Sequence, residues 1–190
     1  MTPKHTPDGP DGPSAATPEG ELALTSSLEA APGGQWIARW SVRNPSQTPL
    51  YLVTQLPTVK GGRPTPDPNA VYLRAEGQTL HLTKRMWRVP RGVSPLITEL
   101  PYLVRLDPGQ SFDGALRLPP AVASSFPYRV KPRGEEAPVR EVVISMGYFR
   151  EAANPQPSPE HPGLYLAPYS AIDAQLYVTS APHAAELRVR

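Results

Sequence analysis

The chain has 190 residues, 39% of them hydrophobic and 19% charged, with no cysteine and a formal net charge of +2 at pH 7. Absence of cysteine excludes a disulfide scaffold, a thiolate-ligated zinc site and a cysteine-linked lipid anchor. The 27 prolines argue against a helical fold, since each removes a backbone N–H and clashes with the preceding helical turn.

Residues 1–19 are rich in Pro, Gly, Asp and Thr, and bury too little apolar surface to offset the entropy of ordering them. They read as a flexible acidic tail ahead of one domain over residues 20–190, a length that supports a single core. Charge divides at the same place. Residues 1–30 carry Lys4 against Asp8, Asp11, Glu19, Glu21 and Glu29, a net −4 that leaves +6 for the remainder. The start of the chain has no apolar signal-peptide core. As written the protein is expected in the cytoplasm, or in a secreted or periplasmic form if a signal was trimmed. No apolar run reaches the roughly 18–20 residues of a membrane span.

The prolines crowd residues 1–20, 57–68, 119–138 and 153–168, and between them apolar residues recur with period two. That period belongs to strands, whose successive side chains point to opposite faces. Trp36, Ala38, Trp40 and Val42 form one face, with Ile37, Arg39, Ser41 and Arg43 on the other. Leu50, Leu52, Thr54 and Leu56 repeat the pattern. Val71, Leu73 and Ala75 do so again, followed by Leu80 and Leu82, with a hairpin turn at Glu76-Gly77. Tyr102, Val104 and Leu106 lead into Asp107-Pro108-Gly109-Gln110, which specifies a type II turn. Phe112, Gly114, Leu116 and Leu118 return. Val142, Ile144, Met146 and Tyr148 make the longest alternating run, and Leu176, Val178, Leu187 and Val189 close the series. Residues 121–126 and 170–174 alone allow a helical turn. Residues 57–69 and 151–163 read as long loops stiffened by proline.

Asn44-Pro45-Ser46-Gln47-Thr48-Pro49-Leu50-Tyr51 joins two of these strands, and Leu106-Asp107-Pro108-Gly109-Gln110-Ser111 joins two others. These segments resemble the turns of bacterial immunoglobulin-like and fibronectin-like sandwich domains. There a strand ending in Asn leads to a Pro-hydrophobic start, and a later strand ends in Leu-x-Pro-Gly-x-Ser. The resemblance implies an antiparallel β-sandwich, immunoglobulin-like in the broad sense, with long proline-rich loops. It also implies binding, because such domains serve as adhesins, chaperones, inhibitors and accessory modules of enzymes.

The sequence holds no Gly-x-Ser-x-Gly, no phosphate-binding Gly-x-x-x-x-Gly-Lys and no Gly-x-Gly-x-x-Gly. His5, His81, His161 and His183 are not spaced as a metal pair, and no cofactor or metal is expected. His81 sits opposite Leu80 and Leu82, on the wetter face, and His161 lies in a proline-rich loop. Glu135-Glu136 and the basic stretch Arg129-Val130-Lys131-Pro132-Arg133 read as solvated loop. One cluster has chemical character: Lys84-Arg85-Met86-Trp87-Arg88-Val89-Pro90-Arg91. Cations beside an exposed aromatic bind anionic or planar groups by charge and stacking, so Lys84, Arg85, Trp87, Arg88 and Arg91 are the candidate binding residues. The bland alternative makes Met86 and Trp87 core and the arginines their cover. The acidic tail is a candidate to fold onto this patch.

A body charge of only +6 argues against a dedicated nucleic-acid protein. The expected function is a non-catalytic binding module with a protein partner. Next comes a structural subunit that self-associates through sheet edges or its tail. An enzyme comes last, since its site would have to be built from distant residues.

Overall fold

A computed structural model describes residues 21–93, 99–125, 127–128 and 137–189. The expected tail, the basic stretch at 129–133 and the pair Glu135-Glu136 lie outside the described residues. The alternating segments form β1 (Ala23–Ala31), β2 (Gln35–Arg43), β3 (Leu50–Lys60), β4 (Arg63–Asp67), β5 (Tyr72–Glu76), β6 (Thr79–Lys84) and β7 (Tyr102–Leu106). Then follow β8 (Ser111–Leu118), β9 (Ala121–Val122), β10 (Ala137–Arg150), β11 (Gln156–Pro157), β12 (Tyr165–Leu166), β13 (Leu176–Thr179) and β14 (His183–Val189). Among the described residues the only helical structure is three short 3-10 turns, Pro32–Gly34, Glu151–Ala153 and Tyr169–Ala174. None is long and apolar enough to cross a membrane. The chain is mostly β, in more than one sheet, as its prolines and period-two pattern require. Of the two expected helical turns, 170–174 forms within Tyr169–Ala174. Residues 121–126 instead begin as β9, paired parallel to β14, and Phe126 lies outside the described residues.

In the three-stranded sheet β2 lies between β1 and β8, antiparallel to both. Ala38, Trp40 and Val42 are buried while Arg39 and Arg43 are exposed, so the period-two reading assigns the faces correctly. Trp40 faces Ser26 on one side and Gly114 on the other. Its indole occupies the space a side chain at 114 would need: a Cβ there would lie 2.4 Å from Nε1 and Cε2. Gly114→Ala is therefore expected to cost about 2 kcal/mol by overpacking, read as a lower urea midpoint at unchanged slope. Parental stability would show that the indole can swing aside.

The larger sheet is organised by β10. Along one edge it pairs with β6, in parallel, and with β3; along the other it pairs with β14 and then β13. One buried cluster draws on both sheets, joining Ala38, Trp40 and Val42 to Leu52, Leu80, Leu82, Val142, Ile144, Met146 and Tyr148. A second lies on the opposite face of the large sheet, where Tyr51, Val53, Leu56, Leu103 and Phe149 pack under Ala167, Tyr169 and Ile172. β3 is thus buried on both faces. Leu56, grouped by periodicity with Leu50 and Leu52, belongs instead with Tyr51 and Val53. The ladder to β7 shifts between Val53 and Gln55, and one inserted residue turns every later side chain to the other face.

Residues 57–69, expected as a loop, are mostly a ribbon. β4 pairs back on the end of β3 across a Gly61-Gly62 turn, with both glycines at positive φ (58° and 78°) as a type I′ turn requires. Counting back from the closing pair Lys60–Arg63, the alternation of antiparallel pairing puts Val59–Pro64 and Pro57–Pro66 at the positions that exchange no hydrogen bond. Proline is tolerated there because its missing N–H would have pointed away from the partner strand. Residues 151–163 are likewise ordered. Ser158 N–H donates to the Leu164 carbonyl (2.8 Å), and β11 pairs with β12.

The expected type II turn is present, with Gly109 at φ 81° and Gln110 N–H donating to Asp107 O at 3.0 Å. The β5–β6 turn falls one residue later than expected, on Gly77-Gln78, with Gly77 at φ 58°. Asn44 is fully buried and ties the two turn segments together. Its Nδ2 donates to Leu106 O (2.8 Å) and Thr48 O (2.9 Å), and its Oδ1 accepts from Ser46 N (3.0 Å) and Oγ (2.7 Å). Its backbone bonds Gln110 and Gly109.

Candidate binding face

The cations of residues 84–91 separate as β6 ends. Lys84 shares the parity of Leu80 and Leu82 and so turns inward, with only 3% of its surface exposed. It is not a surface residue, contrary to the expectation for a binding group. Its Nζ donates to Thr54 O (2.9 Å) and Pro68 O (2.5 Å) and lies 6.0 Å from the centre of the Trp40 ring. Burial lowers its pKa to about 8, with Asp67 opposing the shift.

Arg85, on the opposite face, stacks on its neighbour. The guanidinium carbon is 3.4 Å from the centre of the Trp87 ring and 5.5 Å from that of Tyr177. The Tyr72 and Trp87 rings stand edge-to-face, with centres 6.1 Å apart. Burial pulls the Arg85 pKa down, against an opposing contribution from Tyr177, and among the described residues its buried Nε has no acceptor. Trp87 is half-buried and packs on the second cluster. Met86 is core, as the bland reading held for it; the arginines do not simply cover these residues, because one is sandwiched among rings.

Residues 169–177 hold this stack in place. Gln175 mimics a neighbouring strand where β6 has ended: Met86 N–H donates to its Oε1 (2.8 Å), and its Nε2 donates to Met86 O (3.0 Å) and to the Tyr177 hydroxyl (2.7 Å). Gly147 leaves room for that amide, since a Cβ there would sit 2.5 Å from Gln175 Oε1. Val89 N–H donates to the Tyr169 hydroxyl at 2.7 Å. Arg88 pairs with exposed Asp173. Arg91 is exposed on the turn from Pro90 to Val93, which Gly92 makes possible at φ 80°. Of the five expected residues, Arg85 and Trp87 converge, Arg88 and Arg91 flank them, and Lys84 is internal. Tyr169, Asp173 and Tyr177 complete the face over buried Tyr72 and Gln175, and none of the five carries a local sequence signal.

His81 is half-exposed, 3.6 Å from Glu76, on the side expected. His161, in its proline-rich loop, is half-buried. Its ring and that of Tyr102 meet edge-to-face with centres 5.3 Å apart, and among the described residues its buried Nε2 has no hydrogen-bond partner. The Ser26 hydroxyl lies 2.7 Å from His183 Nε2, a tie between β1 and β14 that sequence spacing cannot reveal. Among the described residues no three His, Asp or Glu side chains converge to hold a metal ion. The outer face of the small sheet has an open depression of about 650 Å³ over the row Ser26–Trp40–Gly114, with Arg39 and Asp113 at its sides. Compared with protein-family models, curated proteins and solved structures, the chain matches none of them.

Proposed function

We propose that the chain is a non-catalytic binding module for a protein partner, an immunoglobulin-like β-sandwich whose contact surface is the Arg85–Trp87 face with Arg88 and Arg91 at its rim. The observation that carries the reading is the Arg85 guanidinium held 3.4 Å over the Trp87 ring. Tryptophan, tyrosine and arginine are the residues most enriched among binding hot spots, and here Gln175 fixes the backbone beneath them. A surface ordered in advance loses little entropy on binding.

The test begins with a partner cross-linked to the protein in the cells that make it, then titrated against purified variants. Trp87→Ala is expected to weaken binding by about tenfold or more. Arg91→Glu, an exposed change that leaves the stack intact, is expected to weaken it less and without moving the melting temperature. Unchanged affinity in both variants would sink the proposal. A second reading, a subunit that assembles with copies of itself, is favoured by the open edge of β1.

A further inference from the structure

Among the described residues β1 is laddered on one side only, and β14 reaches it through the Ser26–His183 side-chain hydrogen bond. β1 pairs with β2 along nine residues, and among the described residues no backbone hydrogen bond reaches its other edge. Backbone groups alternate in direction along an antiparallel strand, so about half of its N–H and C=O groups face that bare edge. Native proteins blunt such edges with proline, glycine, charge or a covering segment, and the edges of β4, β5 and β8 show those devices. On β4 the outward positions are Pro64 and Pro66, which have no N–H to offer. On β5 the edge is occupied by Ser125, which exchanges hydrogen bonds with Leu73 at 3.0 Å. β8, at the far side of the same small sheet, carries Asp113, Gly114 and Arg117. β1 reads Ala-Leu-Thr-Ser-Ser-Leu-Glu-Ala-Ala, with Glu29 its single charge and no proline or glycine.

We propose that the occupant of this edge is a second copy of the chain, with two β1 strands antiparallel about a two-fold axis and Ser26 opposite the partner's Ser26. The inference rests on the self-assembly reading and is independent of the Arg85–Trp87 face. β1 is self-complementary in this register. Leu24 meets the partner's Leu28, Thr25 meets the partner's Ser27, and Ala23 meets the partner's Glu29, so no like charges oppose. Leu24 and Leu28 are half-buried against the core that joins the two sheets, and pairing covers more of their remaining apolar surface. A slip by one residue would set this leucine row against the outward Thr and Ser side chains, which fixes the register. The contact is isologous, as in most two-subunit proteins, and converts two three-stranded sheets into one of six strands.

The experiment is light scattering on the full chain across a concentration series, with two double variants at exposed positions. Wild type is expected to double in mass as concentration rises. Thr25→Lys with Ser27→Lys opposes lysine to lysine across the axis and is expected to stay monomeric with an unchanged circular dichroism spectrum. Thr25→Lys with Ser27→Glu opposes lysine to glutamate and is expected to recover the dimer. A dimer that survives the lysine pair places the interface elsewhere, which overturns the β1 assignment and leaves self-assembly standing. Loss of the dimer in both variants overturns the register. A wild type that is monomeric throughout overturns both, and one that dimerises only after removal of residues 1–20 gives the edge to the chain's own N-terminal segment.

Discussion

Asn44→Ala is expected to lower stability by about 4 kcal/mol, among the largest single losses available to this fold. The side chain is wholly buried and spends all its hydrogen-bonding capacity on the two turns it joins. Truncation strips the buried Leu106 carbonyl of a donor and removes the acceptor for Ser46. Each buried polar group left unpaired costs about 1–3 kcal/mol. At the scaling for chains of this size the melting temperature should fall by about 10 °C. Asn44→Asp makes the argument specific. It preserves shape but turns a donor into an acceptor facing two carbonyls, so its carboxyl pKa must rise on folding. The sign follows: stability is retained where the carboxyl is protonated, below its unfolded pKa, and lost as pH rises through the folded value. A loss under 1 kcal/mol for Asn44→Ala would mean that water replaces the amide.

The second large effect is a gain of stability on the alkaline side. Lys84 has a folded pKa of about 8 against 10.5 when unfolded, because burial penalises its charge. Between those values the unfolded chain binds more protons than the folded one, so stability rises with pH. From pH 7 to 9.5 the wild type should gain about 2 kcal/mol, and Lys84→Met should lose that slope. The window stops short of pH 10 for a reason in the same structure. Burial, with Glu99 and Glu21 alongside, raises the Tyr72 and Tyr148 pKa values. Their ionisation in the unfolded chain alone then opposes the lysine. Urea midpoints at fixed slope measure the effect. Equal pH profiles for parent and variant would show that the ammonium is hydrated.

These two residues also mark what was legible in the sequence and what was not. The strand faces followed from alternation at Ala38–Trp40–Val42, at Leu80–Leu82 and along β10, because side-chain direction is a local property of extended backbone. The turn at Pro108-Gly109 was legible for the same reason. Lys84 also obeys its parity with Leu80 and Leu82, but a lysine in that series reads as surface until Thr54 and Pro68 carbonyls are known to receive it. The ribbon at residues 57–67 was hidden because proline marks a loop unless pairing phase is known, and phase depends on where Gly61-Gly62 places the turn. The candidate face was half visible. Arg85 and Trp87 are neighbours in sequence, whereas Gln175 and Tyr177 arrive from about 90 residues away by way of β10 and β13.

The parallel pairing of β6 with β10 has a consequence for how the chain is made. Thr79 of β6 aligns with Glu141 of β10, so the two strands leave the ribosome about 60 residues apart. At roughly 5–20 residues per second, Leu80 and Leu82 wait about 3–12 s for Val142 and Ile144. During that interval β6 has β5 on one edge and an unpaired edge on the other, and no segment made before β10 supplies the missing strand. The nascent protein is therefore most exposed to chaperone capture, or to adhesion between neighbouring chains, between the emergence of β6 and that of β10.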